Sequence, residues 1–153
     1  MIDIRPFKQE DFAVLPELAN QAAPFAPQEN AVWFEARKTF DETKRIRRHY
    51  IATENHQAVG YGCLEQQHDN SKWLRIYVVC SPMNMRGEVG KRLYSRLMQE
   101  AEKLEATILW ARELQADESS SQFFSSRGFK AGQPYTIPNH APLIDYKLDL
   151  QRQ

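Results

Sequence analysis

The sequence predicts one mixed α/β domain with a central sheet, in the element order β-α-α-β-β-β-α-β-α-β-β. Three observations carry this. The 153 residues amount to one ordinary domain, long enough to bury a single core. Three consecutive β-type segments fill the middle of the chain, from His49 to Cys80. From Val89 onward the apolar residues then recur every three or four positions, which is the period of a helix.

Taken in order, Ile2 to Pro6 is a short strand, followed by a helix near Phe12 to Gln21 with Phe12, Leu15, Leu18 and Ala19 on one face. Asp11 stands where it can cap that helix, and Pro16 implies a late start or a bend. Ala23 to Pro27 breaks the chain. A second helix, near Glu29 to Glu42, carries Val32, Trp33, Ala36 and Phe40 at helical spacing. His49 to Glu54 and Ala58 to Gln66 form a hairpin across Asn55-His56-Gln57, with Gly60 and Gly62 lowering strand propensity. Trp73 to Cys80 (WLRIYVVC) is a central strand that Pro82 stops. Leu93, Leu97, Ala101 and Leu104 continue the amphipathic helix to about Glu105. Thr107 to Glu113 is a strand, Asp117 opens a helix to about Ser126, and Gly128 ends it. A loop and a last strand, LIDYKLDL, complete the chain.

Composition narrows the function. Lys plus Arg equals Asp plus Glu at 20 each, which argues against a protein that coats nucleic acid. No apolar run reaches the roughly 20 residues that span a bilayer, and the opening MIDIRPFKQEDF lacks a secretion signal pattern. Cys63 and Cys80, both in apolar segments, read as reduced buried thiols in a cytoplasmic protein. The four histidines have no spacing like that of a metal site.

The chemistry concentrates in VVCSPMNMRGEVGKRLYSRL, a strand, a loop and a helix. Backbone N–H groups at a helix start lack partners within the helix and carry the positive end of its dipole. Gly87 and Gly90 let the backbone come close to a ligand, and the arrangement suits a pyrophosphate. Arg86 and Lys91 add positive charge and Glu88 removes some. A tight strand-to-helix connection with no ligand would use the same residues. Neither the Walker nor the Rossmann glycine pattern is present.

Four pieces of the chain together resemble the GCN5-related N-acetyltransferases. IRPFKQEDF is similar to that family's first strand and helix, and HYIATENHQAVGYGCLE to its second and third strands. VVCSPMNMRGEVGKRL resembles its coenzyme A signature, and SSSQFFSSRGF its later helix with a Gly-Phe end. The resemblance covers nearly the whole chain, 1–153, as a single domain. It implies a mostly antiparallel, twisted mixed sheet of six to seven strands with about four helices. It also implies acetyl-CoA as the cofactor, bound by Val78, Val79, Cys80, Met85, Arg86, Gly87, Glu88, Val89, Gly90, Lys91, Asp117 and Phe124. Counting back from Gly90, the usual Gln/Arg position holds Met85 and the first glycine position holds Glu88, whose carboxylate must point outward. The family's proton-donating Tyr falls at Phe124, which has no proton to give, and its common Asn falls at Asp117.

The implied reaction is direct attack of a primary amine, with a backbone N–H near Val79 stabilising the oxyanion and a base removing the amine proton. Glu65 is the first candidate base, Glu113 the second, and Tyr77 and Tyr94 are candidate proton donors. Each reads equally as an ordinary strand-end carboxylate, a core ring or a solvent-facing one. Phe25, Trp33, Phe34 and Tyr135 are placed to shape the acceptor pocket, a small-molecule or peptide amine being the expected partner. Lys44, Arg45, Arg47 and Arg48 form a basic cluster that reads as a solvated face. An inactive domain that binds coenzyme A or a protein partner is the competing reading, and pairing of the last strands into a homodimer is open.

Overall fold

The computed structural model describes residues 1–22, 45–66 and 72–152. The expected helix near Glu29 to Glu42, with Phe25, Trp33, Phe34 and Phe40, and also Lys44 and His68, lie outside the described residues. The described residues form one seven-stranded sheet: β1 (Ile2–Pro6), β2 (Arg47–Glu54), β3 (Gln57–Gln66), β4 (Trp73–Val79), β5 (Ile108–Leu114), β6 (Lys130–Ala131) and β7 (Leu143–Asp149). Its order is β1-β2-β3-β4-β5-β7-β6. Every pairing is antiparallel except β4 with β5, so the expected mixed, mostly antiparallel sheet is present with β4 at its centre. The helices are α1 (Leu15–Ala22), α2 (Pro82–Arg86), α3 (Glu88–Lys103) and α4 (Glu118–Ser125).

Alternation along β4 assigns the two faces of the sheet. Leu74, Ile76 and Val78 join Leu93, Leu97, Ala101 and Phe124 in the larger core under α3 and α4. Val79, with Tyr61 and Cys63 of β3, faces the other way and packs on Leu15, Leu18 and Ala19 of α1. The β2–β3 hairpin turns on Asn55 and His56, both at positive φ (51° and 66°), as a two-residue turn of this hand requires.

Gly60 and Gly62 have a packing reason. A Cβ on Gly60 would lie 2.8 Å from Val89 Cγ1 and 2.9 Å from Leu93 Cδ1, and one on Gly62 would lie 3.0 Å from Leu97 Cδ1. Bare backbone on β3 is what lets α3 settle onto the sheet. Gly60→Val is therefore expected to destabilise the fold by about 1–3 kcal/mol through overpacking. That corresponds to a fall in Tm of roughly 2–4 °C per kcal/mol for a chain of this size. Thermal unfolding followed by circular dichroism tests it, and an unchanged Tm would contradict the close approach.

Three local expectations need correction. Asp11 does not cap α1. It sits in a 3-10 turn (Gln9–Val14), accepts from the Lys8 amide at 2.7 Å and takes a bidentate pair from Arg5 at 2.8 Å, which holds its carboxyl below the usual range. α1 starts late, at Leu15, with Pro16 in its first turn where no backbone N–H is missed. Tyr94 does not face solvent: its ring packs on Phe123 and Phe129 beneath the Arg127 guanidinium. The basic cluster is a solvated face only in part: Arg45 is exposed and Arg48 is partly so while reaching Glu100 (3.3 Å), but Arg47 is buried and pairs with Glu65 (3.4 Å). At the other end of the chain, α4 closes as expected: Gly128 (φ 89°) donates to Ser125 and Phe129 donates to Phe124, each at 3.1 Å.

Candidate functional site

The site begins where β4 and β5 part. Their parallel register runs only from Trp73–Ile108 to Arg75–Trp110. Beyond it the two strands diverge, and on their facing sides each carries backbone groups without a strand partner. A cleft lies in this gap, with Tyr77, Val79 and Cys80 on the β4 side. Glu113 of β5 and Asp117, Ser119 and Ser120 at the start of α4 form the opposite wall. Pro82 and Met85 line it from α2, and Ala22 from the end of α1. Because it takes residues from both faces of β4, the cleft passes through the sheet.

The segment after β4 is not the open loop that the glycines imply. Ser81 caps α2, its hydroxyl accepting from the Asn84 amide at 3.2 Å, and Pro82 occupies the first turn. α3 then opens at Gly87, whose backbone is extended and which provides no side-chain cap. The first-turn amides of this 16-residue helix thus keep the unsatisfied donors and the positive dipole end described for an anion site. Glu88 turns away along the helix toward Lys91 (4.0 Å) and Arg92 (3.7 Å), as its carboxylate had to. Arg86 donates to the Ser119 hydroxyl at 3.1 Å, which ties α2 to α4. Gly90 has a different role from the one its spacing implies. A Cβ there would stand 2.5 Å from the Met85 carbonyl oxygen, so its bareness serves the packing of α2 on α3 rather than direct approach of a ligand.

The cleft holds one conspicuous acid. Glu113 keeps partial exposure to solvent, yet the protein around it pushes its carboxyl up to about 8. Desolvation is the main cause and the charge of Asp117 adds to it, while Arg75 and Ser120 pull the other way. Asp117 itself is committed to capping α4, accepting from the Ser120 amide (3.0 Å) and hydroxyl (2.9 Å). Burial pushes the Cys80 thiol up to about 12, and its Sγ lies 3.7 Å from Met85 Sδ, which makes it an inert wall rather than a nucleophile.

Of the residues the sequence singles out, Tyr77, Val78, Val79, Cys80, Met85, Glu113 and Asp117 come together here. Glu65 does not line the cleft. It stands opposite Arg75 on β3, four residues from the Tyr61–Val79 pair that borders the gap, and its carboxylate is held by Arg47. Phe124 is fully buried among Phe123, Phe129 and Tyr146, its ring stacked on that of Tyr146. Tyr135 donates to Asp145 at 2.7 Å on the outer part of the sheet. Ser119 and Ser120 were missed by the sequence reading; their position just after an N-cap Asp, in a first helical turn aimed at a strand end, was the signal available.

The comparisons agree with this architecture. The acetyltransferase (GNAT) domain family matches residues 21–150. A GNAT-family structure from Desulfovibrio desulfuricans superposes with a TM-score of 0.79 at 16% identity, over 97% of this chain and 99% of that one. The yncA protein of Salmonella typhimurium, solved with acetyl-CoA, gives 0.72 at 19% identity over 99% and 95%. The ribosomal-protein-S18-alanine N-acetyltransferase of Escherichia coli gives 0.71 at 16% identity over 98% and 94%. At these identities the likeness speaks for the fold, and no curated protein sequence matches the chain. With its family pattern spanning most of its length, and with a split sheet opening beside a bare helix start, this chain belongs to the GNAT acetyltransferase family.

Proposed function

We propose that the protein transfers an acetyl group from acetyl-CoA to a primary amine by direct attack in a ternary complex, with Glu113 as the base. The observation that supports it is the succession along the chain of the cleft wall at the end of β4, the short α2 that lines the cleft with Pro82 and Met85, and the uncapped first turn of α3. The two ends of that path suit the two ends of the cofactor. First-turn amides at Glu88, Val89 and Gly90, with Arg86 and Lys91 alongside, fit linked phosphates. The unpaired edge of β4 past Arg75 fits an extended arm that carries amides of its own. When bound, acetyl-CoA supplies a thioester whose acyl carbon accepts the amine.

The chain's own residues do the rest. The narrow gap holds the reacting groups together, and backbone donors of β4 at the gap stabilise charge on the acyl oxygen, a contribution of roughly 3–4 kcal/mol per donor. Glu113 would take the proton that the amine gives up as its nitrogen bonds to the acyl carbon, and the β4 donors would hold the charge on the acyl oxygen until the thiolate departs with the C–S electron pair. With Phe124 buried in the core, no ring hydroxyl stands at that helix position to protonate the leaving sulfur, and a thiol of pKa near 8.5 leaves readily as the anion. The acceptor is a small-molecule or peptide amine and the setting is the cytoplasm. Among the described residues no helix is long and apolar enough to cross a membrane.

Isothermal calorimetry with acetyl-CoA, followed by a thiol-release assay across a panel of amines, tests the reading. Saturable binding and amine-dependent release are expected. Absence of binding at millimolar acetyl-CoA would remove the assignment.

A further inference from the structure

The sheet face opposite α3 carries an arginine that makes no ion pair among the described residues, although Glu65 stands opposite it on β3. Arg75 alternates with the core residues Leu74 and Ile76, so it emerges on the α1 side, two residues before Tyr77 of the cleft wall. Its guanidinium lies 5.5 Å from the Tyr77 ring centre and 5.3 Å from that of Trp110. Its Nε is buried and makes no hydrogen bond among the described residues. Arg112 stands over the same Trp110 ring, also at 5.3 Å. The two cations are not equivalent: Arg112 is neutralised by Asp145 at 3.2 Å, and Tyr135 steadies that carboxylate. Arg75 has no such partner at ion-pair distance among the described residues; its charge favours ionisation of the cleft carboxyl of Glu113, but desolvation outweighs it and holds that group protonated near neutral pH.

A buried guanidinium N–H without an acceptor is costly, and the Arg75 Nε is one. Contact with two rings restrains the guanidinium, and such a fork receives a carboxylate through two parallel bonds. The phosphate-binding amides of α3 belong to the other side of the sheet, so this fork is not needed for the nucleotide. We propose that Arg75, set between Tyr77 and Trp110, is the acceptor-recognition residue of this enzyme and binds the carboxylate of an α-amino acid whose amine reaches Glu113. The inference rests on the acetyl-transfer reading and narrows its acceptor to amines that carry their own carboxylate.

The test uses the full chain and paired probes: L-alanine, L-methionine, L-phenylalanine and L-glutamate, each against its α-carboxamide. Amine-dependent thiol release is expected to favour at least one acid over its amide by about tenfold to a hundredfold in kcat/KM, the range associated with hydrogen bonds to a charged group. Arg75→Met, which keeps the stem, is expected to erase that preference by raising the acceptor KM while the KM for acetyl-CoA stays put. Arg75→Lys, which keeps the charge and loses the fork, is expected to restore only part of it. Equal rates for every acid and its amide, or an equal loss on both in Arg75→Met, would overturn the assignment. If no amine is acetylated, the same pairs as N-acetyl compounds are titrated against tryptophan fluorescence. Saturable quenching by an acid and not its amide, lost in Arg75→Met, keeps the carboxylate site while the transfer reading fails. No quenching by any acid sinks the site as well.

Discussion

Glu113→Gln is expected to lower kcat/KM for the amine by about 10²–10⁴-fold, the usual contribution of a positioned acid–base group, with little change in acetyl-CoA affinity. The same residue sets the pH dependence. With the carboxyl raised to about 8, the fraction ready to accept a proton grows about tenfold per pH unit below that value. The wild-type rate should therefore climb toward pH 8 and level off above it. A rate that instead falls above pH 8 would make Glu113 a proton donor. Stability should move the opposite way. In the unfolded chain the carboxyl ionises near 4.5, while in the fold it holds its proton to about 8, so the folded protein binds more protons between those values. Its contribution is fully present below about pH 4.5 and is lost as the pH rises through 8. Melting curves taken from pH 5 to 8 should decline for the wild type relative to Glu113→Gln. Glu65→Gln is the control: with its carboxylate on Arg47 and outside the cleft, it should cost stability and leave the shape of the pH–rate profile alone.

Gly90→Ala is expected to weaken acetyl-CoA binding at least tenfold and to lower Tm, although the new methyl never touches the cofactor. The added Cβ would fall 2.5 Å from the carbonyl oxygen of Met85 and 3.1 Å from its carbonyl carbon and Cα, all backbone atoms that cannot swing aside. α2 must slide relative to the first turn of α3, and that turn is the phosphate seat. Displacements of about 1 Å in a positioned site cost on the order of 10²-fold in rate, so turnover should fall along with affinity. Gly87→Ala is the matched comparison, because its nearest backbone contacts are at 3.4 and 3.8 Å and its φ of −107° suits any residue. Calorimetric Kd values for the two variants decide the matter. A tight-binding Gly90→Ala would show that the contact between α2 and α3 does not set the cradle.

The fold was legible because its signals are local. The β-type runs, the change of period at Val89, the Asn-His turn, Asp117 before α4 and Gly128 after it each act within a few residues and each matches the structure. What escaped the sequence depends on distant partners. Nothing near Asp11 in the chain marks Arg5 as its partner across a turn, and α2 is too short for periodicity to mark it. Glu65 and Glu113 look alike as strand-end acids, and only the sheet order puts one against Arg47 and the other in a cleft. Arg75 reads as an outward residue of a central strand until Trp110, 35 positions later, is laid beside it.

The short seam between β4 and β5 has a thermodynamic consequence. Three register pairs join a four-strand half of the sheet to a three-strand half, so lengthwise the sheet itself is stitched at one end only. A ligand threaded into the open part supplies cross-links that the polypeptide lacks, and it binds only when both halves stand in place. Substrate capture and cohesion of the two halves are then one equilibrium seen from two sides. At a hundred times its dissociation constant such a ligand adds about 2.7 kcal/mol to the stability of the whole, and the chain depleted of it is the form that proteases reach first.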